Sequence, residues 1–142
     1  MNTLSILIID DCDNFRMVAS HILLDAGHVV EQANCAHDAF DLIRKEKFDI
    51  IFCDLHMPFI NGEKNEEFQT SYQVGIMTIN ALQDLFPNTP VLALTSTPPV
   101  DLARIKSALK GISAFSKPTS KHELFEIVDR AKEIAENAYC MQ

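Results

Sequence analysis

The chain has 142 residues, enough for one domain, and its 47% hydrophobic and 23% charged residues are typical of a folded globular protein. Its 20 acidic residues outnumber 12 Lys and Arg, giving a formal net charge of −8. This charge disfavours direct binding to nucleic acid or to anionic membranes. It fits a protein that binds a cation or basic protein surfaces. No apolar run approaches the roughly 20 residues that span a bilayer. The N-terminus carries no basic leader, so we expect a cytoplasmic protein without membrane insertion.

Five apolar runs alternate with segments of helical periodicity. The continuous runs predict parallel strands buried on both faces, at 4–9, 28–33, 48–53, 90–94 and 112–116. The first helix is predicted to be capped by Asp13 or Asn14 and to end at Gly27, and the second starts at Asn34. The fourth helix runs from Pro99 to Gly111, and the fifth from about Ser120 to Tyr139.

This alternation predicts a doubly wound α/β fold, with a five-stranded parallel sheet and five helices over its two faces. Ligands of such sheets bind at the carboxyl ends of the strands. The first strand is followed by Asp10 and Asp11, and the third by Asp54. Thr95 follows the fourth strand, and Lys117 follows the fifth.

These five side chains converge if the first, third, fourth and fifth strands lie side by side. Three neighbouring carboxylates repel one another unless a cation lies among them, and oxygen ligands favour Mg²⁺. A hydroxyl and an ammonium opposite could then hold a phosphoryl group. Each residue alone also has an ordinary explanation, since acids cap helices, threonines close turns and lysines are solvated. The joint occurrence favours phosphoryl chemistry.

Four segments carry a family resemblance: ILIIDD (6–11), CDLHMPFING (53–62), VLALTS (91–96) and FSKP (115–118). In order and spacing they resemble the receiver domain of two-component response regulators, over nearly the whole chain. The resemblance implies one receiver domain over residues 1–142. It also implies a flavodoxin-like sheet with strand order 2-1-3-4-5.

The resemblance also assigns site roles. Asp54 matches the phosphoacceptor, and Asp10 and Asp11 match the acid pair that holds Mg²⁺ together with Asp54 and the backbone carbonyl of His56. Thr95 matches the hydroxyl that binds the phosphoryl group, and Lys117 matches the lysine that pairs with it. Pro118 matches a proline that follows a cis peptide bond.

The implied function is signalling. A histidine kinase or histidine phosphotransfer protein donates a phosphoryl group, and the chain catalyses only its own phosphorylation and dephosphorylation. The signal passes to a downstream protein target by protein contact, and homodimer formation stays open. Met1 favours a complete single-domain chain, although a portion of a hybrid kinase is an alternative. The cysteines form no CxxC pair, so we expect reduced thiols.

An insertion separates this chain from the family pattern, at about residues 63–73 between the third strand and the third helix. One interpretation is a tolerated surface loop. In the alternative, helical spacing from Phe68 and Tyr72 through to Phe86 starts the third helix early, and the exposed aromatic side chains dock a partner or a second copy of the chain.

Two further departures keep a second function class open. The family places an aromatic residue three positions before the lysine, but here that residue is Ala114, and Phe115 points to the opposite face unless a bulge restores it. Pro98 and Pro99 stiffen a normally mobile loop. The alternative function is therefore a pseudo-receiver, a protein-binding module that is not phosphorylated. A phosphatase or phosphotransferase acting on small molecules is disfavoured, because no Gly-rich phosphate loop is present.

Overall fold

Five parallel strands form the centre of the computed structural model, which describes residues 3–57, 73–96, 99–109 and 111–140. The strands are β1 (Ser5–Ile9), β2 (Val29–Ala33), β3 (Ile50–Asp54), β4 (Val91–Thr95) and β5 (Ala114–Ser116). Their order in the sheet is β2-β1-β3-β4-β5. This confirms the predicted doubly wound sheet and its strand order.

Five helices are found among the described residues. They are α1 (Asp13–Asp25), α2 (Ala36–Lys45), α3 (Gln73–Leu85), α4 (Pro99–Ala108) and α5 (Lys121–Cys140). Pro99 begins α4 as predicted, since its fixed φ suits a first helical position. Gly27, at φ +95°, follows the end of α1 in a left-handed conformation that favours glycine.

Two apolar layers enclose the sheet. On one face α2, α3 and α4 contribute buried side chains such as Ala39, Ile79 and Ile105, which pack against alternate strand residues. On the other face α1 and α5 contribute Leu23 and Leu124, among others. Both faces of β1, β3 and β4 are therefore covered, which explains why these strands are apolar runs without polar alternation.

Several element ends differ from the prediction, by one to three residues. Asp54 and Thr95 are the last residues of their strands rather than the first residues beyond them, because the parallel ladder pairs Asp54 with Leu94. The predicted capping of α1 by Asp13 or Asn14 is wrong. Cys12 occupies the cap position without a side-chain hydrogen bond, and Asp13 is already helical.

The inserted segment lies outside the described residues except for Gln73, which begins α3. Neither interpretation of the insertion is therefore tested, and Pro98 also lies outside the described ranges. Within those ranges, no helix combines the length and the apolar composition that crossing a membrane requires.

Candidate functional site

The register of β1 and β3 brings three carboxylates together. Ile9 pairs with Cys53, so Asp10 and Asp54 stand side by side as their strands end. Asp10 is 1% exposed and Asp54 is 3% exposed, while Asp11 is exposed at the rim. One carboxylate oxygen from each of the three lies within 4.8 Å of the others. The sequence-predicted acid cluster is thus assembled.

Lys117 joins this cluster from the end of β5. Its Nζ lies 2.8 Å from Asp10 Oδ2 and 3.6 Å from Asp54 Oδ2. The Lys117 backbone N–H donates to the Thr95 carbonyl oxygen at 2.8 Å, which fixes the lysine to the end of β4. The ammonium therefore lies beside two buried carboxylates, where its charge is only partly screened by water.

Thr95 and His56 border the same strand ends. Thr95 is the last residue of β4, fully buried, one position beyond the residue that pairs with Asp54. His56 follows Asp54 by two positions and is half-buried. All of the sequence-predicted site residues therefore lie together at the carboxyl ends of the strands.

The backbone around Asp10 is held by three hydrogen bonds. The Asp10 N–H donates to the Ala33 carbonyl at 3.0 Å, and the Cys12 N–H donates to Asp10 Oδ1 at 2.9 Å. Arg16 of α1 donates to the Asp10 carbonyl oxygen. These contacts fix the position of the Asp10 carboxylate relative to the end of β3.

Burial and like charge control the protonation of the site. Burial, followed by the charge of Asp10, raises the pKa of Asp54 to about 8, although Lys117 and the His56 backbone N–H oppose the shift. Asp11 lies at the rim, where partial desolvation and then the charge of Asp10 raise its pKa as well. For Lys117, burial alone would lower the pKa, but Asp54 and Asp10 outweigh it and raise the pKa. Burial and Lys117 lower the pKa of His56.

The residues present fit a divalent cation. Asp54 Oδ1 is buried and has no hydrogen-bond partner among the described residues, so it is an oxygen ligand ready for a cation. The donor set consists of carboxylate oxygens, which suit a hard ion such as Mg²⁺. An added positive charge would also relieve the repulsion that raises the pKa of Asp54.

The position three residues before Lys117, aromatic in the family pattern, holds Ala114, as the sequence indicated. Ala93 pairs with Ala114 and Leu94 with Phe115 in consecutive register, so no bulge shifts Phe115 onto the other face. Ala114 is buried with the core of α2, α3 and α4, whereas Phe115 packs on the α1 and α5 side. A methyl group therefore stands where the family pattern has a ring.

Two features of the site differ from or go beyond the sequence prediction. The bond between Lys117 and Pro118 is trans, since no described peptide bond is cis, and the long lysine side chain reaches both carboxylates from that conformation. The ring of Phe15 lies 5.0 Å from Lys117 Nζ, a cation–π contact. Nothing in the sequence links Phe15 to the lysine.

Comparison with known proteins agrees with this geometry. A curated relative from Cyanophora paradoxa, "Probable transcriptional regulator ycf29", is 29% identical over 127 residues, covering 89% of this chain and 55% of the relative. "Probable histidine kinase 1" of Oryza sativa subsp. indica is 33% identical over 72 residues, covering 51% of this chain and 7% of the relative. The chain thus spans only part of these curated relatives.

A solved structure, the chemotaxis response regulator CheY4 of Vibrio cholerae, superposes with a TM-score of 0.73 at 25% identity, covering 92% of this chain and 99% of the other. The family described as "Response regulator receiver domain" matches residues 6–129. With the carboxylates and the lysine at the strand ends, this match places the chain in a known family: it belongs to the response regulator receiver domain family.

Proposed function

We propose that the chain is a phosphoacceptor that carries a phosphoryl group on Asp54. The surroundings of the Asp54 carboxylate support the proposal. The Lys117 ammonium lies within 3.6 Å of the carboxylates of Asp10 and Asp54, while Asp54 Oδ1 is buried and has no partner among the described residues. An acceptor oxygen with a fixed cation beside it suits transfer of an anionic group.

The proposed phosphoryl donor is a phosphohistidine. An ionised Asp54 oxygen attacks phosphorus, a P–O bond forms, and the P–N bond to the donor imidazole breaks with its electron pair left on nitrogen. Lys117 and the Thr95 hydroxyl are proposed to hold the other phosphoryl oxygens. Later attack of water on phosphorus releases inorganic phosphate and restores the Asp54 carboxylate.

Asp10, Asp11, Asp54 and the His56 carbonyl are the residues proposed to hold Mg²⁺. When bound, the ion would supply positive charge that keeps the carboxylates ionised and neutralises phosphoryl oxygens. The pKa of Asp54 of about 8 supports this requirement, because a protonated carboxyl group is a poor nucleophile at neutral pH.

The proposed donor is a histidine kinase or a histidine phosphotransfer protein. The relatives include a protein named as a probable histidine kinase and proteins named as transcriptional regulators, so receiver sequences of this kind occur in both. The proposed output is contact with a downstream protein. A single receiver domain over 1–142, homodimer formation and the cytoplasmic location remain predictions.

The test is the intact-protein mass after incubation with Mg²⁺ and acetyl phosphate. Wild type is expected to gain one phosphoryl group, and Asp54→Asn is expected to gain none. Asp84→Asn, which removes an exposed carboxylate of α3, serves as the matched control and should be modified like wild type. Wild type without Mg²⁺ should also stay unmodified.

A short phosphoryl lifetime is controlled with beryllofluoride, a stable phosphoryl mimic. Absence of both the mass adduct and beryllofluoride binding in wild type would contradict the proposal. The pseudo-receiver function would then replace it, and the alanine at position 114 is the observation that favours this second candidate.

A further inference from the structure

Gly75 makes a backbone-to-backbone contact beside the site. It lies in the first turns of α3 and is buried. A Cβ atom built on Gly75 would lie 2.2 Å from the carbonyl oxygen of Leu55 and 2.6 Å from both its carbonyl carbon and its Cα. Real Cβ contacts are essentially never shorter than 3.0 Å, so no residue with a side chain fits without movement.

The atoms that Gly75 touches belong to the peptide beside the acceptor. Leu55 follows Asp54 directly and shares its carbonyl group with the peptide bond to His56. The His56 backbone N–H is the other end of that peptide, and it hydrogen-bonds the Asp54 carboxylate. Gly75 therefore lies against the peptide group that presents a donor to Asp54.

Neither Leu55 nor α3 can move away from this contact without disturbing the core. Leu55 is fully buried, and Ile79 and Leu82 anchor α3 in the same core with no exposed surface. Because interiors are close-packed, an added methyl group must displace the helix, the strand end or both. Restoring an ordinary carbon–oxygen contact of roughly 3.3 Å requires a movement of about 1 Å.

We propose that Gly75 is a positioning residue for the acceptor site, since only a residue without Cβ lets α3 hold the Leu55–His56 peptide in register with Asp54. The inference rests on the proposed function, because its consequence is measured as Mg²⁺ affinity and phosphorylation. It assigns to α3, which directly follows the inserted segment, a role in setting the geometry of the acceptor. Residues that orient metal ligands typically change metal affinity by about 10–100-fold when they are replaced.

The experiment compares Gly75→Ala with Leu82→Ala, which removes a fully buried side chain about two turns further along the same helix. Urea unfolding measures the stability of both variants, and isothermal titration calorimetry measures Mg²⁺ binding. Gly75→Ala should weaken Mg²⁺ binding by about tenfold or more and slow phosphorylation by acetyl phosphate, whereas Leu82→Ala should stay within about threefold of wild type despite its lower stability. Equal weakening in both variants would overturn the inference, as would a Gly75→Ala variant with wild-type affinity.

A second readout separates this inference from the proposed function. The His56 amide resonance in metal-free protein should shift in Gly75→Ala and stay in place in Leu82→Ala. If wild type binds no Mg²⁺, the proposed function fails, while the His56 resonance still tests the positioning role. If Gly75→Ala does not fold, Mg²⁺ titration of the wild type, followed by NMR, tests the positioning role instead. The Gly75 amide resonance should shift in parallel with that of His56. A Gly75 resonance that does not shift would refute the positioning role.

Discussion

Asp54 makes the stability of the metal-free protein depend on pH. Burial and the neighbouring Asp10 raise its pKa from 3.8 to about 8 in the folded protein, while the unfolded chain has the ordinary value. Between these two values the folded protein retains a proton that the unfolded chain releases. The free energy of unfolding therefore falls as the pH rises through this window.

The magnitude follows from one proton. Its contribution to the free energy of unfolding falls by about 1.4 kcal/mol per pH unit inside the window, or nearly 3 kcal/mol from about pH 5.5 to pH 7.5. This is a large part of a total stability that is typically about 5–15 kcal/mol. Asp54→Asn keeps a similar shape without an ionisable group, so it lacks this contribution and should become more stable than wild type as the pH rises.

The assay is urea unfolding in EDTA at several pH values between about 5 and 8. The difference in stability between Asp54→Asn and wild type should grow steadily with pH, and Asp84→Asn should follow wild type. Saturating Mg²⁺ should flatten the wild-type profile, because a cation favours the ionised carboxylate. A difference between Asp54→Asn and wild type that stays constant across the range would refute the reasoning.

Two further predictions concern single contacts. Lys117→Met leaves the buried Asp10 carboxylate, 2.8 Å from the ammonium, without its cation, so the free energy of unfolding in EDTA should drop. We expect a loss of about 2–3 kcal/mol, below the range for fully buried pairs because the lysine side chain is 18% exposed. Urea unfolding measures this beside the exposed-site control Lys106→Met, and equal effects of the two variants would contradict the prediction. The pKa of His28 is lowered by burial and by Lys132, and its Nδ1 accepts the Leu4 N–H at 3.1 Å. The contribution of His28 to the free energy of unfolding should therefore be lost as the pH falls below about 6.5. His28→Gln should remove that part of the acid dependence in urea unfolding. A variant with the wild-type pH profile of stability would show that His28 contributes nothing.

Much of the fold could be predicted because its signals are local. Continuous apolar runs such as 4–9 and 90–94 mark strands buried on both faces, and Pro99 marks the start of a helix. The ends were less predictable, since pairing with the neighbouring strand decides where a strand stops. Asp54, for example, belongs to β3 because it pairs with Leu94.

The chemical side chains of the site were likewise predictable, because acids and a lysine at strand ends are conspicuous in the sequence. The contacts that orient them were not. A ring at Phe15 has the same helical spacing whether it fills the core or lies against an ammonium, and Arg16 gives no sign that it binds the Asp10 carbonyl. The backbone contact of Gly75 depends on the path of a distant segment, which no local pattern encodes.

The short edge strand β5 links local opening to the charge of the site. It has three residues and, among the strands that the structure describes, pairs only with β4, yet the next residue, Lys117, supplies the ammonium beside Asp10 and Asp54. Because Lys117 follows β5 directly, we expect fraying of this edge to withdraw the cation, and loss of the ion pair to loosen the edge. Strand and ion pair should then open as one cooperative unit, and amide hydrogen exchange in β5 should depend on the charge state of an acceptor two strands away.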